Sequence, residues 1–214
     1  MISNQVLTTQ CVKAARKARS VLAMVRRNFK RLDADDFLLI YKTYVRPHME
    51  YCIQAWSPHL VTVKDIQVLE SVQRTATRMV SKLKKLPYES RLHRLGLTTL
   101  ERRRIRGDLI ETFKILTGIE KVDMEHFFEF SDTGYNLRGH SKRLTVNRCR
   151  LDSRKYFFSN RVVQHWNKLT QEIVECSVSQ RLQESSGPAL ARYGHLKNDS
   201  SQPIINQVSS IKYR

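Results

Sequence analysis

Residues 63–83 read VKDIQVLESVQRTATRMVSKL, and this stretch decides the fold class. It contains neither glycine nor proline, and its apolar side chains recur every three or four positions. This spacing predicts an amphipathic helix, because 3.6 residues complete one helical turn. Lys82, Lys84 and Lys85 gather at the end of the stretch, where the helix dipole favours cations. The apolar stripe consists of Ile66, Leu69, Val72, Ala76, Met79, Val80 and Leu83.

Upstream, residues 8–31 show the same periodicity and predict a second amphipathic helix. Asp33 is the expected N-cap of the next helix, with Asp35 and Asp36 in its first turn. We interpret this acidic run as a helix start instead of a metal site. Pro47 is expected to end or kink that helix and to push Arg46 out of helical dihedrals. The stripe of residues 8–31 consists of Val12, Ala15, Ala18, Val21, Leu22, Val25 and Phe29.

Downstream, capping signals predict further helices. Thr62 is the expected cap of the helix over residues 63–83. A short helix is expected to start near Pro87 and to end at Gly96, and Thr98 with Glu101 predicts a capping box for a helix running to Gly118. Residues 132–154 are expected to form a loop with a short strand at 144–146. Residues 155–183 return to a helical pattern, and residues 184–214 are expected to form a disordered tail. The predicted fold class is all-α.

The charge of the chain is strongly basic. Its 38 Lys and Arg against 20 Asp and Glu give a net charge of +18 and a pI near 10.1. The surplus lies in three blocks, residues 1–31, 64–114 and 138–168, and the first block contains no acidic residue. Such a surplus favours a polyanionic partner, with nucleic acid first and an anionic membrane surface second. The simpler alternative is that the three basic blocks are three solvated helix faces.

Twelve cations are the candidate phosphate contacts, four of which accompany aromatic residues in the third block. Tyr135, Tyr156, Phe157 and Phe158 could stack on unpaired bases there. The alternative is that Phe157, Phe158 and Trp166 belong to the core, because their spacing is helical. The candidate nucleic-acid-binding residues are Arg16, Arg19, Arg26, Arg27, Lys30, Arg102, Arg103, Arg106, Lys142, Arg143, Arg148 and Arg150.

Several protein classes are disfavoured. No apolar run is long enough for a transmembrane helix, and we expect no secretory signal. The four cysteines are scattered, which fits a reducing compartment and an intracellular location, with the nucleus left open. The spacing of His, Cys, Asp and Glu predicts no metal site, and no phosphate-binding glycine loop is present. We therefore expect no cofactor and no catalytic residue in this chain.

Six segments of the chain follow a family pattern: 39–58 (LIYKTYVRPHMEYCIQAWSP), 69–78 (LESVQRTATR), 92–101 (LHRLGLTTLE), 102–109 (RRRIRGDL), 157–161 (FFSNR) and 166–169 (WNKL). These segments resemble the C-terminal part of non-LTR retrotransposon reverse transcriptases of the jockey-like kind. They follow one another in the family's order across about residues 8–183. Thr170 stands where the family usually has proline, and the resemblance ends near Gln183.

The resemblance implies a helical thumb-like bundle over residues 8–83, followed by a helical C-terminal region over residues 84–183 with a basic loop. In the family, the thumb grips an RNA–DNA or DNA duplex with low sequence specificity, and the catalytic palm lies upstream. We therefore expect this chain to bind template–primer without being an enzyme itself, its missing partner being the palm. Two alternatives stay open, a domesticated module that binds protein and an enzyme with an unrecognised site.

Overall fold

A computed structural model describes residues 4–56, 63–131 and 139–175 of the chain. The described residues are helical and contain isolated β-bridges but no strand, so the predicted all-α class is confirmed. They group into two compact units. The first unit contains residues 4–56, 63–108 and 150–158, and the second contains residues 109–131, 139–149 and 159–175. The expected division of the chain near residues 83 and 183 stays a prediction.

The first unit is built on two long helices, and shorter helices connect and follow them. α1 spans Asn4–Asn28 and α5 spans Val63–Thr77. Between them lie α2 (Ala34–Ile40), a π-helical turn (Tyr41–Val45), α3 (Pro47–Glu50) and α4 (Ile53–Trp56). A 3₁₀ turn (Ser81–Leu83), α6 (Tyr88–Arg94) and α7 (Leu100–Leu116) follow, and α7 continues into the second unit.

α1 and α5 pack side by side and run in the same direction. The Thr8 hydroxyl donates to Asp65 at 2.8 Å, and Arg19 donates to Ser71 at 2.7 Å further along both helices. Beyond the helix ends, Leu32 and Val80 form a parallel bridge. These three contacts follow the same order on both segments, so the C-terminal ends of α1 and α5 lie together.

The buried face of α1 differs from the predicted stripe at its edges. Val12 and Phe29 are 39% and 50% exposed, while Cys11 and Ala14 are buried. Ala15, Ala18, Leu22 and Val25 are buried as predicted, so the error is confined to the edges of the stripe. The stripe of α5 is buried at Leu69, Val72, Ala76, Val80 and Leu83, although the α-helix ends at Thr77.

Pro47 changes the helix before it without ending it at once. The Arg46 N–H donates to the Tyr41 carbonyl, five residues back, at 2.9 Å, so the chain makes a π-helical turn. Proline lacks an N–H and its ring crowds the carbonyl four residues back, and a widened turn accommodates both conditions. The expectation for Arg46 was wrong, because its dihedrals are helical (φ −61°, ψ −39°).

The predicted caps have mixed outcomes. Asp33 caps α2 by accepting from the Asp36 N–H at 2.9 Å, as predicted, so the acidic run is a helix start. Gly96 ends α6 with φ +60°, where glycine is favoured, also as predicted. The cap of α7 is Thr99, whose hydroxyl accepts from Arg102 N–H, one residue later than the predicted Thr98 box. Thr62 lies outside the described residues.

A buried polar network joins four elements of the first unit. Gln73 on α5 is fully buried and accepts from the Tyr41 hydroxyl at 2.6 Å. Its amide nitrogen donates to the Tyr88 hydroxyl and to the Thr98 carbonyl, both at 2.9 Å. The neighbouring Glu70 accepts from the Tyr88 hydroxyl and from the first N–H of α7, at Leu100. The network therefore fixes the π-helical turn, α6 and the start of α7 against α5.

The second unit contains shorter elements. A 3₁₀ turn spans Met124–His126, and Phe130 pairs with Leu144 in an antiparallel bridge where a strand was expected. The Asn167 side chain accepts from Leu144 N–H at 2.9 Å and donates to its carbonyl at 2.8 Å, which holds the loop beside Asn167.

The continuous helix expected over residues 155–183 is wrong within the described residues. Short helices take its place, namely α8 (Asp152–Lys155), α9 (Phe158–Arg161) and α10 (Val163–Trp166), together with helical residues 171–175. α8 belongs to the first unit, and α10 belongs to the second. Phe158, Val162 and Trp166 are all buried. Their spacing therefore resembles that of one continuous helix, although the helix is broken between them. The tail expected over residues 184–214 lies outside the described residues.

We predict that Gln73→Leu destabilises the protein by about 2 to 4 kcal/mol, because it leaves the Tyr41 hydroxyl and the Thr98 carbonyl buried without partners. Leucine is of similar size, so the loss reports hydrogen bonding more than volume. Urea unfolding measures the change, and Gln67→Leu at an exposed position of the same helix is the matched control. Equal stability of Gln73→Leu and Gln67→Leu would contradict the structural role of the network.

Candidate nucleic-acid interface

All charged residues on the exposed face of α1 are basic. The helix contains no Asp or Glu, and all of its cations are exposed. At 1.5 Å per residue, the span from Lys13 to Arg27 is about 21 Å. The opposite face is apolar and packs in the core, so the cations cannot turn inward without unfolding the helix. The exposed cations of α1 are Lys13, Arg16, Lys17, Arg19, Arg26 and Arg27.

Two of these arginines also make contacts within the unit. Arg19 donates to the Ser71 hydroxyl, and the Arg27 Nε donates to the Ala23 carbonyl at 3.3 Å. Neither contact neutralises the charge, because both acceptors are uncharged. Their guanidinium groups therefore keep full electrostatic attraction for an anion while their positions are restricted.

The bridge between Leu32 and Val80 brings the first two basic blocks together. Lys30 and Arg31 precede Leu32, Arg78 and Lys82 flank Val80, and all four cations are exposed. Arg31, Arg78 and Lys82 were not among the predicted site residues. The sequence shows the lysines after α5, but it does not show that this end of α5 lies beside the end of α1.

The arginines at the start of α7 have different surroundings. Arg102 is exposed, as a phosphate contact requires, whereas Arg103 forms a two-pronged ion pair with Glu50. Arg46 also lies 3.6 Å from Glu50. Arg106 is half-buried and engaged within the protein. Of the three predicted contacts on this helix, Arg102 has the surroundings that an incoming phosphate needs.

The neighbouring Arg104 was not predicted as a site, and it is buried. Burial lowers the pKa of Arg104, while the negative charges of Glu70 and Glu101 counteract this effect. Cys11 is also buried, and burial together with the charge of Asp65 raises the pKa of its thiol to about 12. These groups therefore lie in the interior of the first unit and are not part of a surface site.

The third basic block is divided between the two units. Lys142 and Arg143 are half-buried and Arg148 is exposed, all three in the second unit. Arg150 is exposed and belongs to the first unit. The Trp166 indole N–H donates to the Lys142 carbonyl at 2.8 Å, which fixes the backbone of this loop.

The aromatic residues near this block divide in the same way. Phe158 and Trp166 are buried, which favours the core interpretation for both. Phe157 is 52% exposed and keeps a surface available for stacking, while Tyr156 is half-buried and faces Lys155. Tyr135 lies outside the described residues. The stacking role therefore stays a prediction, and Phe157 is the residue best placed for it.

Two other kinds of site are absent from the described ranges. Within residues 4–56, 63–131 and 139–175, no group of three or more His, Cys, Asp or Glu is arranged to hold a metal ion. No described helix combines the length and the apolar character needed to span a bilayer. The cations are thus the chemically distinctive feature of the described surface.

We predict that Arg103→Gln lowers the free energy of unfolding by about 1 to 2 kcal/mol, because it breaks a two-pronged, partly buried ion pair. Arg102→Gln, one residue away and exposed, is the control and should change stability little. A double-mutant cycle with Glu50→Gln isolates the coupling energy in urea unfolding. A coupling energy near zero would show that the pair contributes nothing to stability.

Comparisons of this chain with protein-family models, with curated proteins and with solved structures found no match. The interpretation of the basic surface therefore depends on the contacts and charges described above.

Proposed function

We propose that this chain binds duplex nucleic acid through its phosphates, as the thumb and following region of a reverse transcriptase of the non-LTR, jockey-like kind. The observation that carries the proposal is the face of α1, which exposes six cations and contains no acidic residue. A solvated helix face ordinarily mixes both signs of charge, since unmixed charge repels itself. A polyanion removes this repulsion.

The geometry of α1 favours contact with the phosphate backbone of a nucleic acid over hydrogen bonds to its bases. The cations of α1 lie on a rigid helix over about 21 Å, and phosphates of one DNA strand follow each other at about 3.4 Å along the axis. Several phosphates can therefore be contacted at once. Contacts of this kind position a protein without selecting a sequence. Low sequence specificity suits a thumb that holds whichever template–primer the polymerase copies.

The proposed partners are an RNA–DNA or DNA duplex and a catalytic palm that this chain does not contain. The family's palm motif, tyrosine or phenylalanine followed by Ala-Asp-Asp, does not occur in these 214 residues, and the nearest run, Asp33 to Asp36, starts α2. In primer extension with template, nucleotides and magnesium, we expect no incorporation by this chain alone. Incorporation above a buffer blank would contradict the assignment of the chain as non-catalytic.

Binding to an RNA–DNA hybrid should weaken steeply with salt. If about six phosphates are neutralised, the slope of log K against log salt is about −5. The double variant Arg16→Gln, Arg27→Gln should reduce the magnitude of the slope by about 2, because each lost phosphate contact removes about 0.9. Fluorescence anisotropy with a labelled hybrid at several salt concentrations measures both slopes.

The matched control is Lys121→Gln with Lys168→Gln, which removes the same charge from two exposed positions of the second unit. The control should change the slope much less than the α1 variant. If both double variants change the salt slope equally, binding depends on the net charge of the protein and not on the cations of α1. Absence of binding at low salt would exclude the proposed function.

A protein-binding module is the second candidate, and one observation favours it. Leu39, Tyr44 and Tyr51 are 68%, 60% and 79% exposed in the segment from α2 to just beyond α3. A partner protein would cover them. Replacement of all three by serine should leave hybrid binding unchanged under the first proposal, because none of them carries a charge.

A further inference from the structure

Arg91 is a buried cation that the proposed α1 interface does not use. It lies on α6 and is only 2% exposed. Its Nε atom is buried without a hydrogen-bond partner, and no carboxylate forms an ion pair with it in the described part of the chain. A buried charge is costly unless it is paired and hydrogen-bonded. Arg91 should therefore lie beside an anionic group of the protein or beside a site where an anion can bind.

The surroundings of Arg91 are mainly basic. Its guanidinium carbon lies 5.6 Å from the centre of the Tyr88 ring, and that of Arg74 lies 4.9 Å from the same ring. Burial lowers the pKa of Arg91, and the nearby positive charges of Arg78 and Arg74 lower it further. Glu89 acts in the opposite direction, but its influence is weaker than that of Arg78. Arg91 therefore has two other arginines nearby, and the charge of Glu89 offsets their influence on it only in part.

The framework around the three arginines is held in place by the core. The Tyr88 hydroxyl donates to Glu70 and receives a hydrogen bond from Gln73, so the ring under both guanidiniums is fixed. Arg74 lies in the last turn of α5, Arg78 directly follows the last residue of that helix, and both side chains are exposed. Arg91 is thus the buried member of the cluster, and Arg74 and Arg78 are its exposed members.

We propose that Arg74, Arg78 and Arg91 form a binding site for one phosphate group. Guanidinium groups offer pairs of N–H donors that match phosphate oxygens, and three of them can surround a tetrahedral anion. The anion would supply the acceptor that the buried Nε of Arg91 lacks. The inference relies on the proposed function only for the source of the phosphate, which is then a phosphodiester of the bound duplex instead of free phosphate.

Inorganic phosphate is the first probe, compared with chloride at equal ionic strength on the full chain. The thermal midpoint of the wild type should rise with phosphate and saturate, because a ligand that binds the folded state stabilises it. Arg78→Gln should need at least about tenfold more phosphate for the same rise, since one charge-assisted contact is lost. In chloride, Arg78→Gln should be no less stable than the wild type, because removing one of three like charges relieves repulsion.

Arg94→Gln is the matched control, because Arg94 lies on α6 with Arg91, is exposed, and carries the same charge. It should retain the wild-type response to phosphate. The proposed site is wrong if Arg78→Gln and Arg94→Gln lose the response to phosphate equally. It is also wrong if the thermal midpoint of the wild type does not change with phosphate.

Binding of the RNA–DNA hybrid by the same variants separates the two proposals. If Arg78→Gln loses the phosphate response and also weakens hybrid binding several-fold more than Arg94→Gln does, the site holds a backbone phosphate. If the phosphate response is specific but the wild type binds no hybrid, the site stands for free phosphate and the proposed function fails. If hybrid binding is normal in Arg78→Gln and phosphate has no effect, the proposed function stands and the site fails.

Discussion

The first unit depends on the burial of two polar side chains, Gln73 and Glu70, in the middle of α5. An amide and a carboxylate can be buried only if their hydrogen-bonding groups find partners, because an unsatisfied group costs about 1 to 3 kcal/mol. The partners come from elements far apart in the chain, namely the Tyr41 and Tyr88 hydroxyls and the backbone at the start of α7. The interior of the unit therefore accepts few alternative arrangements of these elements.

The same network determines where the basic residues can act. Gln73 points into the core, so Arg74, the next residue, lies outside with its guanidinium over the Tyr88 ring that the network holds. Parallel packing of α1 on α5 turns the cations of α1 to the surface and brings the end of α1 to the end of α5. The proposed interface and the proposed phosphate site are thus both consequences of how the core is assembled.

Much of the local structure could be predicted from single residues and their spacing. Asp33 starts α2 and Gly96 ends α6 by interactions within a few residues, so the sequence around each is sufficient. The errors arose where a distant contact or an ambiguous repeat decided the outcome. Cys11 is buried in place of Val12 because two adjacent faces of α1 are both apolar enough to pack. The π-helical turn before Pro47 was missed because a proline predicts a disturbance but not how the chain accommodates it.

That the described residues are helical and that the positive charge lies in three blocks could both be read from the sequence, since periodicity and charge are properties of neighbouring residues. Which cations an anionic ligand can reach is seen only in the folded structure. Arg102, Arg103 and Arg104 are consecutive, yet one is exposed, one pairs with Glu50 and one is buried. Likewise, nothing in the sequence near Arg91 shows that Arg74 of α5 and Arg78, just after that helix, lie near it. The physical reason is that an arginine's partner is chosen by the packing of helices that lie far apart along the chain.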